Sequence, residues 1–252
     1  MAGWIRIIGL GPGSDGLLTP DAMRWLELAT DVVGYHPYVS RVPARPGLSL
    51  HPSDNREELV RARHALSMAQ AGRCVAVVSG GDAGVFGMAS AVFEVVESGD
   101  PAWAGLDIEV VPGISACLAA AARAGAPLGH DFCVLSLSDN LKPWDLLLHR
   151  LRAAAEAGFA MALYNPVSAA RPWQLDEAFD LLRALLPGEV PVIFARAVTR
   201  PDEKLLVRPL REAKAALADM RTLVLICTEA TRLIAKSADE YWVYAPRSVT
   251  RS

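Results

Sequence analysis

Short apolar runs alternate along the chain with longer segments whose apolar residues recur at helical spacing. IRIIGL, DVVGY, CVAVVS and DIEVVP read as strands. The segments from about Pro20 to Ala29, from about Asn55 to Ala71 and beyond Gly87 read as the helices between them. The rhythm continues with the Ala-rich ISACLAAAARAG, the strand FCVLSLS, a helix from about Pro143 to Ala157 and the strand FAMALYN. Runs this apolar, without period-two alternation, suit parallel strands covered on both faces by helices. The last third is less regular: a helix from about Trp173 to Leu186, the strands VPVIFARAV, KLLVRPL, TLVLICT and YWVYAP, and a short helix near Leu210 to Met220. VPVIFARAV and KLLVRPL, joined by TRPDEK, suggest a hairpin and hence a mixed sheet. The Gly/Pro-rich stretch GAPLGHDF (Gly125 to Phe132) divides the chain into similar halves. The expected architecture is α/β, with two α/β domains, 1–124 and 125–252. The first holds a parallel sheet, the second a mixed one, and ligands are expected in a cleft between them.

Composition narrows the class. A chain of 252 residues that is 52% hydrophobic can fill a substantial core. The formal charge of -3, with no basic block, argues against a nucleic-acid partner. No apolar run approaches the roughly 18 residues needed to span a bilayer, and WIRIIGL is too short for a signal peptide, so the expected address is the cytoplasm, with no membrane partner. Cys74, Cys117, Cys133 and Cys227 lie scattered in apolar segments, without a C-x-x-C pair or a histidine at ligand spacing. They read as core thiols, and no metal, iron–sulfur cluster or disulfide is expected. Lysine occurs only at positions 142, 204, 214 and 236. A positive charge supplied so largely by arginine suits a ligand rich in carboxylates, and equally suits codon usage.

Candidate chemistry lies beyond the strand ends, where ligands of open α/β sheets bind. GPGSDG (Gly11 to Gly16) satisfies the G-x-G-x-x-G pattern of a dinucleotide loop. That reading gives an NAD-dependent oxidoreductase with Asp31 as its ribose acid. Yet Pro12 has no N–H to offer a phosphate, the helix start Thr19-Pro20-Asp21 lies several residues on, and Asp31 precedes the second strand. GGDAGVFGMA (Gly80 to Ala89), VPGISA (Val111 to Ala116) and YNP (Tyr164 to Pro166) also follow strands. Each alone is readily a tight turn. Together with the first loop they point to a ligand site where backbone approaches closely.

GLGPGSDGLLT, SGGDAGVFGMA, VVPGISA and LYNP, in this order and at these separations, resemble the ordered segments of the tetrapyrrole methylases, the corrin and sirohaem branch of S-adenosylmethionine-dependent methyltransferases. The resemblance runs from Ile7 to about Thr228. It implies two α/β domains, a homodimer, and adenosylmethionine folded into the interdomain cleft, with no phosphate site. Position by position it assigns Pro12, Gly80, Gly81, Asp82, Val85, Ser115, Ala116 and Asn165 to the cofactor. Adenosylmethionine carries no phosphate, so Pro12 ceases to be an objection. Asp82 is the charged member; it suits an amino group or ribose hydroxyls, or the cap of the helix behind it.

Within the family, GYHPYV (Gly34 to Val39), GGDAGVFGMAS and GAPLGHDFCVLSLSDNLKPW look most like the branch that methylates C-17 of precorrin-3B and contracts the ring in cobalamin biosynthesis. A cobalt-bearing macrocycle, another ring position or a translation component are the alternatives inside the fold, and a tetrapyrrole carrier is one outside catalysis. Methyl transfer itself needs positioning and no protein nucleophile. Contraction needs proton handling at the C-20 hydroxyl, for which Asp15, His36, His130 and Asp131 are the available groups, Asp15 and His130 foremost. Arg41, Arg45 and Arg171 are the candidates for substrate carboxylates.

Overall fold

Alternate residues of the first strands enter different cores, and this makes the amino-terminal sheet. Ile5, Ile7, Val75 and Val77 pack in one cluster, while Ile8, Ala76 and Val78 pack in another. Strands buried on both faces in this way need helices on both. The computed structural model describes residues 3–168, 170–237 and 240–248, and divides into two compact units, Met1–Ala116 and Cys117–Ser252.

The first unit contains β1 (Trp4–Gly9), α1 (Pro20–Leu28), β2 (Asp31–Tyr35), α2 (His36–Val39), β3 (Ser49–Ser53), α3 (Glu58–Gln70), β4 (Cys74–Ser79), α4 (Met88–Ser98) and β5 (Asp107–Val111). Its five strands run in the order β3-β2-β4-β1-β5, all parallel. Thr19 starts α1 as its cap, accepting from Ala22 N–H at 3.2 Å, with Pro20 behind it. α3 and α4 supply Ala62, Leu66, Val92 and Val95 to one core. The β3 strand, SLHPS, escapes the pattern reading because it is a half-exposed edge strand carrying a proline.

The second unit contains α5 (Ala116–Ala124, whose first residue belongs to the first unit), β6 (Gly125–Ala126), β7 (Phe132–Ser136), α6 (Trp144–Glu156), β8 (Ala160–Tyr164), α7 (Gln174–Arg183), β9 (Pro191–Arg196), β10 (Lys204–Pro209), β11 (Thr222–Ile226), β12 (Arg232–Ala235) and β13 (Tyr241–Tyr244). The sheet β10-β9-β11-β8-β7 is mixed: β7 and β8 are parallel, and β9 pairs antiparallel with both β10 and β11. The hairpin of VPVIFARAV and KLLVRPL is therefore present. Phe179 of α7 meets Phe194 of β9 edge-on at 6.1 Å within the main core. β12, β13 and β6 form a small separate sheet.

Two expectations differ from what is found. The helix near Leu210 to Met220 is two single turns, Leu210–Glu212 and Ala215–Leu217, because Ala213 and Lys214 between them are extended. The Ala-rich segment α5 divides with the second unit, eight residues before the boundary read at Gly125. Tyr164 Oη accepts from Cys117 N–H at 3.0 Å, and β6 directly after α5 pairs with β13, so both ends of this helix are tied to the carboxyl-terminal half. Among the described residues no helix is long and apolar enough to cross a membrane.

Asp31, buried at the start of β2, locks the edge of the first sheet. It accepts from Arg73 Nε at 2.7 Å and Nη2 at 3.0 Å, from Thr30 Oγ1 at 2.7 Å, and pairs with His51 Nε2 at 3.0 Å. Burial alone would raise its pKa; the hydrogen bonds from Arg73, Thr30 and His51 outweigh that and hold the carboxyl at about 2. A depressed folded pKa stabilises above the unfolded value and loses that contribution as pH falls through the folded one. Asp31→Asn is expected to lower unfolding free energy at neutral pH by about 2 kcal/mol. In urea denaturation the gap from wild type should narrow as pH drops from about 4 towards the folded value; a gap unchanged across that window would refute the linkage.

Candidate active site

Three neighbouring strands of the first unit, β4, β1 and β5, end in loops whose backbones touch. Gly11 and Gly81 exchange both hydrogen bonds of a short antiparallel bridge, Gly11 N–H to Gly81 O at 3.0 Å and Gly81 N–H to Gly11 O at 2.9 Å. Both adopt positive φ, +67° and +65°. A Cβ on Gly113 would fall 2.3 Å from Gly81 O and 2.7 Å from Gly9 O, and one on Gly9 would fall 2.7 Å from Gly81 O. Glycine is required there for the approach itself. The Cα of Gly81 faces the other way. An added Cβ would find nothing closer than Ala116 N at 3.7 Å, Ser115 Cα at 3.8 Å and Ile114 O at 3.9 Å. This small hollow on the outer face of Gly81 has room for a methyl group, with Ala116 N and Ile114 O beside it.

Asp82 cross-braces this hollow. Its Oδ1 accepts from Gly84 N–H at 2.8 Å, and its Oδ2 accepts from Gly113 N–H at 2.9 Å. The carboxylate thus pins the loop after β4 to the loop after β5, and each oxygen keeps a further lone pair. The cap of α4 falls instead to Ser79 Oγ, which accepts from Met88 N–H at 3.0 Å. Val85 is half-buried in the same loop, Phe86 takes φ +53°, and Ser115 is buried beside Ala116. Pro12 is buried directly behind Gly11. Asp15 lies exposed in the single turn Asp15–Leu17 of the first loop.

In the second unit the ends of β7 and β8 form another polar group. Asn165 takes φ +51°, a conformation asparagine tolerates better than most residues. Its Nδ2 donates to Ser136 Oγ at 2.9 Å, and its carbonyl accepts from Arg171 Nη1 at 3.0 Å. Arg171 also reaches Leu137 O at 3.4 Å and lies 3.9 Å from Asp139 Oδ1.

Pro12, Gly80, Gly81, Asp82, Val85, Ser115 and Ala116 gather at one edge of the first sheet, whereas Asn165 belongs to the second unit. His130 sits before β7, with Nδ1 3.5 Å from Asp131 Oδ2 and both side chains exposed. β7 and β8 run parallel in register from Phe132↔Ala160 to Ser136↔Tyr164. His130 and Asn165 thus lie at opposite ends of strands roughly 17 Å long. His36 is exposed at the start of α2.

The arginines expected to meet substrate carboxylates have backbone duties. Arg45 Nη2 donates to the carbonyls of Leu26, Glu27 and Ala29 at 2.8, 2.8 and 2.7 Å, closing the end of α1. Arg41 donates to Leu10 O at 2.5 Å and Gly11 O at 3.0 Å, and Arg171 supports the carbonyl of Asn165. A residue that pattern reading passed over is Tyr38, whose ring lies against Gly80. Its signal was present in GYHPYV, as an aromatic just beyond a strand end. The four cysteines form no disulfide; burial pushes the Cys227 thiol up to about 12, which makes it inert as a nucleophile. The dinucleotide reading fails on position: Asp31 stands at the first residue of β2, the end away from the loops, and is held by Arg73 and His51.

Residues 5–214 match the model of the Tetrapyrrole (Corrin/Porphyrin) Methylases. The chain belongs to this family and is accordingly a methyltransferase by class. It is 53% identical over 247 residues to a precorrin-3B C(17)-methyltransferase from Sinorhizobium sp, covering 98% of this chain and 97% of that one. The crystal structure of the methyltransferase CobJ superposes with a TM-score of 0.93 at 54% identity, over 97% of this chain and all of the other. The uroporphyrin-III C-methyl transferase from Thermus thermophilus, complexed with S-adenyl homocysteine, matches with a TM-score of 0.67 at 25% identity, covering 89% of this chain and 92% of that one.

Gly113→Ala tests the hollow directly. The methyl group collides with two carbonyl oxygens that cannot rotate away, so a loss of about 2 kcal/mol or more in stability is expected, together with loss of ligand binding. A variant that melts and binds as wild type does would show that the loops are not in contact as described.

Proposed function

We propose that the protein transfers a methyl group from S-adenosylmethionine to C-17 of precorrin-3B, with contraction of the macrocycle to precorrin-4, in cobalamin biosynthesis. The observation that carries the cofactor half is the hollow at Gly81. Its rim offers backbone donors and acceptors at close range, which suits the ammonium, carboxylate and hydroxyl groups of adenosylmethionine. Gly80, Gly81, Ser115 and Ala116 would form its floor and walls, Asp82 would offer its remaining lone pairs, and Pro12 and Val85 would supply apolar contact. The same reading gives Asn165 to the cofactor. The choice of precorrin-3B rests on the near-full-length likeness to the Sinorhizobium enzyme.

When bound, adenosylmethionine supplies an electrophilic methyl carbon whose sulfur keeps the bonding pair and departs as a neutral thioether. The protein's part is to hold donor and acceptor in line and to exclude water, which lowers the barrier by removing orientational freedom. Loops braced to one another through Asp82 and the Gly11–Gly81 bridge serve that purpose. Asp15, exposed on the loop after β1, is the group this reading retains for proton transfer during contraction; His130 is given no part in the chemistry. Substrate carboxylates are not assigned to Arg45, whose guanidinium closes α1. The same reading carries a homodimer acting in the cytoplasm.

Incubation with adenosylmethionine and precorrin-3B, followed by mass spectrometry and NMR of the product, tests substrate, methyl position and contraction together. Recovery of precorrin-3B unchanged while a cobalt-bearing counterpart is methylated would replace the substrate. Asp15→Asn is expected to reduce product formation about 100-fold, while His130→Ala stays within about twofold of wild type. The reverse pattern would exchange their roles. Gly81→Leu should abolish adenosylmethionine binding in calorimetry, since its side chain fills the hollow and its backbone resists positive φ; unchanged affinity would move the cofactor elsewhere.

A further inference from the structure

One short segment grips both loops of the hollow. Arg41, just beyond α2, holds the carbonyls of Leu10 and Gly11 in the first loop. Tyr38, within α2, meets the second loop at Gly80. A Cβ built on Gly80 would lie 2.6 Å from Tyr38 Cε1, 2.9 Å from Cζ and 3.1 Å from Oη, so the phenol end of the ring rests on the glycine. Gly80, unlike Gly81, does not take positive φ. Its φ therefore does not call for glycine, whereas the ring of Tyr38 leaves no room for a Cβ.

The ring is itself supported. Tyr35 meets it edge-on at 5.6 Å with planes at 84°. The buried Arg61 lies within electrostatic reach of both phenols. That guanidinium is fixed by bonds to Ser53 Oγ at 2.8 Å and Asp54 O at 2.7 Å, and it reaches Met88 Sδ, at the start of α4, at 3.3 Å. Tyr38 therefore stands on a rigid base and presses on the residue that precedes the Gly81–Asp82 corner.

We propose that Tyr38 is a positioning residue for the methyl donor, its ring setting the level of Gly80 and thereby the shape of the hollow at Gly81. The proposal rests on the reading of that hollow as the adenosylmethionine site. It predicts a specific coupling between ring and glycine: whatever occupies the space at position 80 must be matched by what is removed at position 38.

The test is a double-mutant cycle in the full-length protein, read by calorimetric binding of S-adenosylhomocysteine and by thermal melting. Tyr38→Ala and Gly80→Ala are each expected to weaken binding about tenfold, and the double variant to recover most of that loss, because the new methyl group occupies the vacated space. Tyr38→Phe, which keeps the ring, should restore affinity to within about twofold of wild type. In turnover, Tyr38→Ala should raise KM for adenosylmethionine and leave kcat nearly unchanged. Additive losses in the double variant, or wild-type affinity in Tyr38→Ala, would overturn the proposal while leaving the site intact. Failure of the wild-type protein to bind the ligand would overturn the site reading and this proposal with it.

Discussion

Everything at the candidate site depends on three glycine backbones meeting where a parallel sheet stops. Strands in such a sheet are about 4.8 Å apart, and loops leaving adjacent strands normally diverge to make room for their side chains. Here Gly9, Gly81 and Gly113 let the loops after β1, β4 and β5 converge until carbonyl oxygens of one touch the Cα atoms of another. The order β4-β1-β5 makes these strand ends neighbours although they are far apart in sequence. Close approach at this contact is what turns the outer side of Gly81 into a hollow.

Such a contact is costly to maintain, since glycine gives up the most conformational freedom on ordering. The surrounding charged side chains act as its braces. Asp82 bridges two loops through backbone N–H groups, and Arg41 collects two carbonyls of the third. Arg171 and Ser136 treat Asn165 in the same manner in the other unit. Charge is thus spent on orienting backbone. That use suits a reaction in which the protein orients a reactive donor and contributes no nucleophile of its own.

The families of α/β proteins that bind phosphates use a similar loop after a first strand, and the difference lies in which backbone atoms point outward. Pro12 removes a donor where a dinucleotide would need one, and lies buried behind the bridge. Asp31, at the wrong end of β2 for a ribose, is instead a structural anion at the sheet edge. A glycine pattern shared by two chemistries is separated by one residue without an N–H and by one carboxylate's place along a strand.

Much of this was legible in the order of residues. Apolar runs of Val and Ile specified the parallel strands, because burial on both faces leaves no room for polar alternation, and the close spacing of two such runs specified the antiparallel hairpin. The glycine loops could be located by their places after strands, and their ordered set identified the family. Short edge strands such as SLHPS and the turns after Pro209 were not legible, since pairing with a neighbour and local extension leave little trace in hydrophobic periodicity. What the sequence determined by itself was the set of loops and the class of ligand they suit. Tertiary contacts fix where the other side chains go: His130 at the end of β7 far from Asn165, Arg41, Arg45 and Arg171 on carbonyls, and Tyr38 on Gly80. Those outcomes turn on strand order and loop contact, and both are fixed by residues distant along the chain.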